Sequence, residues 1–165
     1  MSNGEVFFKW SPDYSVHIKT IDDQHQELVN MLNRLFDAVS MHEGNKVIGG
    51  VLEALRSYTE THCSLEERLM QQTNYPDLDA HRLEHQKMLQ QLDLLCEEHL
   101  SKDKPIHFEI LRFIKIWLKE HIKGVDAKYN TALRQAALSF TGWESKAAEE
   151  VNAMAEKTGH WWKAW

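Results

Sequence analysis

Apolar residues recur in four stretches of the chain at the three- and four-residue spacing of helices that bury one face. Short polar segments separate the stretches, and no strand-like alternation of apolar and polar residues competes with them. Because short connections place successive helices side by side, the pattern predicts an all-α protein, an antiparallel up-down-up-down four-helix bundle. The apolar positions are Leu28, Met31, Leu32, Leu35, Phe36 and Val39, then Val51, Leu55, Tyr58, Leu65 and Leu69, then Met88, Leu92 and Leu95, then Leu111, Ile114, Leu118, Ile122 and Val125.

The ends of the predicted helices are less clearly marked than their apolar faces. We expect the first helix to begin at about Thr20, with Thr20 or Asp22 as the candidate N-cap, because either side chain can cap an N-terminus. Pro76 cannot continue a helix interior, so it separates the second helix from the third. Pro105 suits the first turn of the fourth helix.

The segments on either side of the helices differ in character from the bundle. The start of the chain carries aromatic residues without a period, which predicts an extended N-terminal arm packed along the helices. We therefore assign residues 1–135 to the bundle with its arm, and residues 136–165 to a C-terminal helical, Trp-rich extension. The Trp side chains of this extension either cap the bundle or form a surface for self-association or for a protein partner.

Seven polar residues fall in register with the apolar stripes, where side chains are expected to be buried. His62 and Glu66 lie four residues apart, as do His81 and His85, so each pair shares one face of its helix. Burying a histidine without a partner costs on the order of 1–3 kcal/mol, so several of them together indicate a shared ligand. The seven candidates are His25, His62, Glu66, His81, His85, His121 and Asp126.

The chemistry of these donors indicates a metal centre. Imidazole nitrogen and carboxylate oxygen favour iron, manganese or zinc over calcium or magnesium. Seven donors exceed the usual four of a zinc site and suit two six-coordinate ions bridged by carboxylates. Ferritin-like di-iron bundles use Glu-x-x-His pairs, and that spacing is absent from the sequence, which disfavours their class.

The spacing of His121 and Asp126 does not fit a regular helix. A separation of five residues places two side chains about 140° apart on a helix with 3.6 residues per turn. If both are ligands, we expect a π-type widening near 123–125, or a tilt of the fourth helix toward the metals.

Composition narrows the remaining function classes. The formal net charge is -6 and basic residues are not clustered, which disfavours nucleic acid and anionic membranes as partners. No apolar run approaches the roughly 20 residues of a membrane span, and the first residues do not have the pattern of a signal peptide. The two cysteines cannot build a disulfide framework, so we predict a cytoplasmic protein.

Taken together, the motifs resemble the bacteriohemerythrins of the hemerythrin family. The resemblance runs from about Trp10 to about Leu133 and includes all seven candidate ligands. The motifs that carry it are Ile21-Asp-Asp-Gln-His25, His62-x3-Glu66-Glu67-x2-Met70, Tyr75-Pro76, His81-x3-His85 and Trp117-Leu118-x2-His121-x4-Asp126.

The resemblance implies a cofactor of two iron ions with an oxo or hydroxo bridge. Counting donors then fills all six positions of one ion and leaves one position of the other open for dioxygen. The implied ligands are His81, His85 and His121 for the first ion, His25 and His62 for the second, and Glu66 and Asp126 for both.

The resemblance also implies the walls of an oxygen pocket, with two departures from the family pattern. Trp117 and Leu118 resemble residues that exclude water from the irons. Cys63 stands where the family usually has Phe; it is interpreted as a small buried residue, or alternatively as the cause of a leakier pocket or a redox-sensitive thiol. His17 stands where Gly is common, and we expect it at the surface.

The function implied is reversible dioxygen binding for carriage, storage or delivery, and not an enzymatic reaction. The alternatives are an oxygen or redox sensor and, at the same irons, a di-iron oxidase, peroxidase or nitric-oxide-handling enzyme. Oxygen affinity, oligomeric state and the role of residues 136–165 do not follow from the sequence.

Overall fold

The computed structural model describes residues 6–137, together with Glu149 and Ala153. Within these residues the chain is an antiparallel up-down-up-down four-helix bundle, which confirms the predicted fold class. The final helix of the bundle is continuous, because a π turn at His121–Asp126 joins its two halves. The helices are α1 (Lys19–Ser40), α2 (Asn45–Gln72), α3 (Leu78–Cys96), α4 (Phe108–Glu120) and α5 (Ala127–Ala137).

The Trp-rich extension predicted over residues 136–165 lies almost wholly outside the described residues, so its role stays a prediction. In the part of the chain that is described, none of the helices combines the length and the apolar character needed to cross a membrane.

The first helix begins next to Thr20, as predicted, but neither Thr20 nor Asp22 is its N-cap, and Pro105 does not lie in the first turn of the fourth helix. Helix α1 begins at Lys19 with Ile18 at its N-cap. The carboxylate of Asp22 instead accepts hydrogen bonds from the Val16 backbone N–H at 2.7 Å and from the Ser15 hydroxyl at 2.6 Å, so it ties the arm to the helix. Helix α4 begins at Phe108, three residues after Pro105, which lies in the preceding loop.

The buried apolar residues form two clusters along the bundle, and the candidate ligands lie near the boundary between them; on α1, for example, His25 falls between Ile21 and Leu28. The larger cluster fills the end at which α1 finishes and α2 begins, and the smaller one fills the opposite end. Burial of these apolar side chains is the main source of stability. The larger cluster includes Leu28, Leu32, Leu35, Val51, Leu55, Met88, Leu92, Leu111 and Ile114, and the smaller one is Val16, Ile18, Ile21, Leu65, Leu69, Met70 and Tyr129.

The N-terminal arm packs along the bundle through aromatic and backbone contacts. The Phe7 ring stacks on Phe36 with centroids 4.2 Å apart. The Asn33 side chain accepts from the Phe8 backbone N–H at 2.7 Å and donates to the Phe8 carbonyl at 2.8 Å. The Trp10 ring then reaches within 6.5 Å of the His25 ring, so the arm lies beside the polar layer.

Candidate metal centre

The seven candidate ligands meet in one buried layer of the bundle. Each is at most 4% exposed, although all are polar or charged. Helix α1 contributes one of them, α2 and α3 contribute two each, and the π turn contributes the last two. They are His25, His62, Glu66, His81, His85, His121 and Asp126.

The π turn explains how His121 and Asp126 face the same layer. The backbone from His121 to Asp126 is π-helical, which confirms the widening predicted from the five-residue spacing. The wider turn brings the Nε2 atom of His121 to 3.0 Å from Oδ1 of Asp126. Helix α5 then continues in register, with Tyr129 fully buried beside the same layer.

The donors fall into two groups that share both carboxylates. Each group offers one atom per residue, and these atoms lie within 4.8 Å of one another. The shared residues are Glu66 and Asp126, so any two ions bound here would lie side by side. One group is His81, His85 and His121 with the two carboxylates, and the other is His25 and His62 with the same two.

Glu66 presents one carboxylate oxygen to each group of histidines. Its Oε1 atom lies 3.4 Å from Nε2 of His62 and 3.5 Å from Nε2 of His25. Its Oε2 atom lies 3.3 Å from Nε2 of His85 and 3.6 Å from Nε2 of His81. This is the arrangement expected of a carboxylate that bridges two ions.

Asp126 divides its oxygens in the same way. Its Oδ2 atom lies 3.1 Å from Nε2 of His25. Its Oδ1 atom lies 3.3 Å from Nε2 of His81, in addition to its contact with His121. The two carboxylates therefore connect the same pair of histidine groups from opposite helices of the bundle.

The donor atoms fit metal ions better than they fit hydrogen bonds to one another. Both oxygens of Asp126, Oε2 of Glu66 and Nε2 of His25 are buried and have no hydrogen-bond partner among the described residues. The Nε2 atom of His85 lies 3.1 Å from the Nε2 atoms of both His81 and His121. Neighbouring donors about 2.1 Å from one octahedral ion are about 3 Å apart, so these separations suit a shared cation.

The electrostatics of the layer also favour cations. Burial opposes ionisation of Glu66 and Asp126, but the surrounding imidazoles outweigh it and hold the pKa of each carboxyl below its usual range. Burial likewise lowers the pKa of His25, yet its contacts with both carboxylates raise that pKa to about 9. For His62, burial dominates and lowers the pKa to about 4, which leaves a neutral imidazole. Two buried negative charges thus attract protons or metal ions.

Three residues that sequence reasoning left without a role hold the candidate ligands in place. The Nδ1–H of His62 donates to Oε1 of Gln24 at 2.8 Å, and the Nδ1–H of His85 donates to Oε1 of Glu67 at 2.8 Å. The Tyr129 hydroxyl donates to Oε1 of Glu66. Such outer partners orient metal-binding side chains.

Spacing contained a signal for two of these three residues. Gln24 falls on the buried face of α1 between Ile21 and Leu28, and Tyr129 lies one helical turn after Asp126. For Glu67 the sequence contains no such signal, because the residue lies at the partly exposed edge of α2.

The structure places all three predicted pocket residues beside the histidines. Cys63, Trp117 and Leu118 line a cavity of about 20 Å³ that also reaches His25, His62, His85 and His121. Apart from the histidines, the lining is almost entirely apolar, and the Thr59 hydroxyl on it already donates to the Leu55 carbonyl at 2.7 Å. The Trp117 ring stacks on His121, with centroids 4.5 Å apart and planes inclined by 15°. Burial raises the pKa of the Cys63 thiol.

The other histidines among the described residues lie away from this layer. His17 is exposed, as expected, and its φ of 60° explains why Gly suits that position. His42 and His107 are exposed as well. His99 is buried, with Nδ1 2.9 Å from the Lys104 carbonyl and Nε2 3.3 Å from the Asn45 carbonyl. His160 is outside the described residues.

Comparison with known proteins identifies relatives that match most of this chain. The model of the hemerythrin HHE cation binding domain family matches residues 16–133. A bacteriohemerythrin of Methylococcus capsulatus (strain Bath) is 32% identical over 122 residues, which are 73% of this chain and 92% of that protein. A myohemerythrin of Theromyzon tessulatum is 29% identical over 126 residues, 76% of this chain and 93% of that protein.

Solved structures agree with the sequence comparisons. A crystal structure of a wild-type hemerythrin superposes with a TM-score of 0.73 at 30% sequence identity. The match covers 77% of this chain and 98% of that one. The similarity therefore spans the bundle and the polar layer within it.

Proposed function

Because the chain belongs to the hemerythrin family, we propose that it binds dioxygen reversibly at a carboxylate-bridged, non-haem di-iron centre, for oxygen carriage, storage or delivery. One observation supports this most directly: Glu66 and Asp126 each direct one oxygen toward each group of histidines. Two iron ions held side by side by shared carboxylates could together supply the two electrons of an exchange with dioxygen.

The candidate ligands form two iron positions. Three imidazoles with both carboxylates hold one ion, and two imidazoles with the same carboxylates hold the other. Two iron ions bound there would supply the two electrons of a reversible exchange with dioxygen. The position with only two histidines offers fewer protein donors, so it would be the one with room for dioxygen. The first position is held by His81, His85 and His121, and the second by His25 and His62.

The pocket residues make the binding reversible by keeping water away. Leu118 is 7% exposed and Trp117 stacks on His121, so both cover the layer on the side of the cavity. Cys63 contributes a thiol that burial keeps protonated. Water and protons promote irreversible oxidation of such centres, so an apolar lining favours release of dioxygen in its original form.

The proposal is tested by metal analysis and an oxygen cycle on the purified full chain. We expect two iron ions per chain, and near-ultraviolet and visible bands that appear on aeration and disappear on return to anaerobic conditions. Asp126→Asn should hold fewer than two ions and lose the reversible bands, because one bridging charge is removed. Asp79→Asn is the matched control, since its carboxylate is almost fully exposed.

The same experiment separates the alternatives. An enzyme, whether an oxidase, a peroxidase or a nitric-oxide-handling protein, would show sustained turnover with its substrate. A sensor would bind oxygen reversibly but also change its association with a partner protein on oxygenation. A chain with one ion or none, or with bands that do not reverse, contradicts the proposal.

A further inference from the structure

The two groups of histidines are supported by outer hydrogen bonds of different charge. In the two-histidine group, the Nδ1–H of His62 donates to the amide oxygen of Gln24 at 2.8 Å. In the three-histidine group, the Nδ1–H of His85 donates to a carboxylate oxygen of Glu67, also at 2.8 Å. The geometry of the two contacts is the same, but one acceptor is neutral and the other is an anion.

The surroundings preserve this difference. Gln24 is 3% exposed and its Nε2 atom has no hydrogen-bond partner among the described residues, so no anion accepts a hydrogen bond from this amide. The Glu67 side chain is 24% exposed and its other oxygen lies 3.4 Å from Nε of Arg82. A single contact of that length with a half-exposed guanidinium offsets only part of the carboxylate's charge.

An anionic acceptor changes the imidazole as a metal ligand. A hydrogen bond to a carboxylate draws the Nδ1 proton away from the ring, so Nε2 becomes a stronger donor to a metal ion. A neutral amide fixes the same ring orientation and tautomer but polarises the ring less, because a charged acceptor forms the stronger hydrogen bond.

We propose that Glu67 and Gln24 make the two metal positions unequal, so that the three-histidine position fills first and the two-histidine position fills second and empties first. Both residues are positioning residues that act through His85 and His62. This inference rests on the proposed function for the presence of two ions, but its order of filling is separate from oxygen binding.

The order of filling is measured on metal-free full-length chain with cobalt(II) as the probe, by calorimetry and by the visible bands of bound cobalt. We expect two binding steps of different affinity in the natural chain. Glu67→Gln should weaken the tighter step by about 10- to 100-fold, the usual cost of removing an outer partner, and leave the weaker step unchanged. Gln24→Glu should raise the affinity of the weaker binding step and so reduce the difference in affinity between the two steps.

Controls separate this effect from donor number and from damage to the fold. Glu53→Gln makes the same change at an exposed position of α2 and should leave both steps unchanged. If the number of imidazoles alone made the two affinities different, neither Glu67→Gln nor Gln24→Glu would change the difference in affinity. That result would overturn the inference. Circular dichroism checks that each variant folds. If Glu67→Gln does not fold, Gln24→Glu alone decides: an unchanged affinity of its weaker binding step rejects the inference.

The outcomes also distinguish the two proposals. Two cobalt(II) steps that do not respond to either variant reject the inference but leave the two-metal centre in place. A natural chain that binds fewer than two ions rejects the proposed function itself.

Discussion

At the scale of single residues, the Tyr129 hydroxyl shows how closely the buried carboxylates depend on their neighbours. It donates to Oε1 of Glu66 from a fully buried position. Tyr129→Phe removes this donor and leaves the anion with fewer partners. We expect the free energy of unfolding of metal-free protein to fall by about 1–3 kcal/mol, measured by urea denaturation.

Tyr75→Phe is the matched control for this prediction. The Tyr75 ring packs 6.1 Å from the Tyr129 ring but is only half-buried. Its loss of a hydroxyl should change stability by less than about 0.5 kcal/mol, as most surface substitutions do. An equal loss in both variants would contradict a specific role for Tyr129.

Cys96 offers a test of pH dependence away from the metal layer. Burial, with the charges of Glu53 and Asp93, raises the pKa of its thiol to about 11 from the usual 9.0. Only the thiolate is alkylated, so at pH 8 the rate should be about a hundredfold below that of an ordinary thiol. Between pH 9 and 10 the rate should still increase almost tenfold, because half-ionisation occurs only near pH 11.

The measurement is the rate of iodoacetamide labelling at the Cys96 peptide by mass spectrometry, which separates it from Cys63. Urea-unfolded protein is the control and should show the ordinary pKa. A labelling rate that levels off near pH 9 in the folded chain would rule out the raised pKa.

Residue identities in the layer could be predicted from the sequence because periodicity marks them. A histidine or carboxylate in register with a stripe of leucines is costly to bury unless it binds a ligand. His62 and Glu66, one helical turn apart, are two such residues. The outer partners could not be predicted in the same way. Glu67 lies at the edge of α2, where a carboxylate needs no explanation, and only the approach of α3 brings it to His85.

At the scale of elements, the N-terminal arm depends on one side chain of α1. Asn33 makes two hydrogen bonds to the Phe8 backbone, at 2.7 Å and 2.8 Å. Asn33→Ala removes both, so the free energy of unfolding should decrease by about 1–3 kcal/mol at roughly 0.5–1.5 kcal/mol each. We also expect faster proteolysis within the arm, measured by limited digestion and mass spectrometry.

Asn30→Ala provides the control, because Asn30 is exposed on the same helix. Ala has a higher helix propensity than Asn, so this variant should be as stable as the natural chain or slightly more stable. Identical digestion patterns for the two variants would show that Asn33 does not tether the arm.

The elements differ in how far the sequence determines them. The buried faces of the helices and the π turn follow from the spacing of side chains, since His121 and Asp126 can share a layer only if the helix widens. The helix ends depend on tertiary contacts instead. Asp22 does not cap α1 because its carboxylate binds Val16 and Ser15 of the arm, which periodicity cannot reveal.

At the scale of the whole molecule, a charged layer interrupts a core that is otherwise apolar. Helices from all sides of the bundle contribute to the layer. Its two buried carboxylates carry the same charge, so they repel each other unless cations lie between them. Ions that bind there connect every helix of the bundle. Because unfolded chain does not hold the donors together, metal binding should stabilise the folded state as a unit.

This coupling leads to a prediction about metal removal. With free metal at 100 times its dissociation constant, the free energy of unfolding should rise by about 2.7 kcal/mol over metal-free protein for each bound ion. The measurement is the thermal midpoint with iron(II) under anaerobic conditions and again after chelation. Glu66→Gln should lose most of the increase, because Glu66 serves both positions, while His42→Ala, an exposed substitution, should retain all of it. Equal midpoints with and without metal would mean that the layer is a hydrogen-bonded core and does not bind ions.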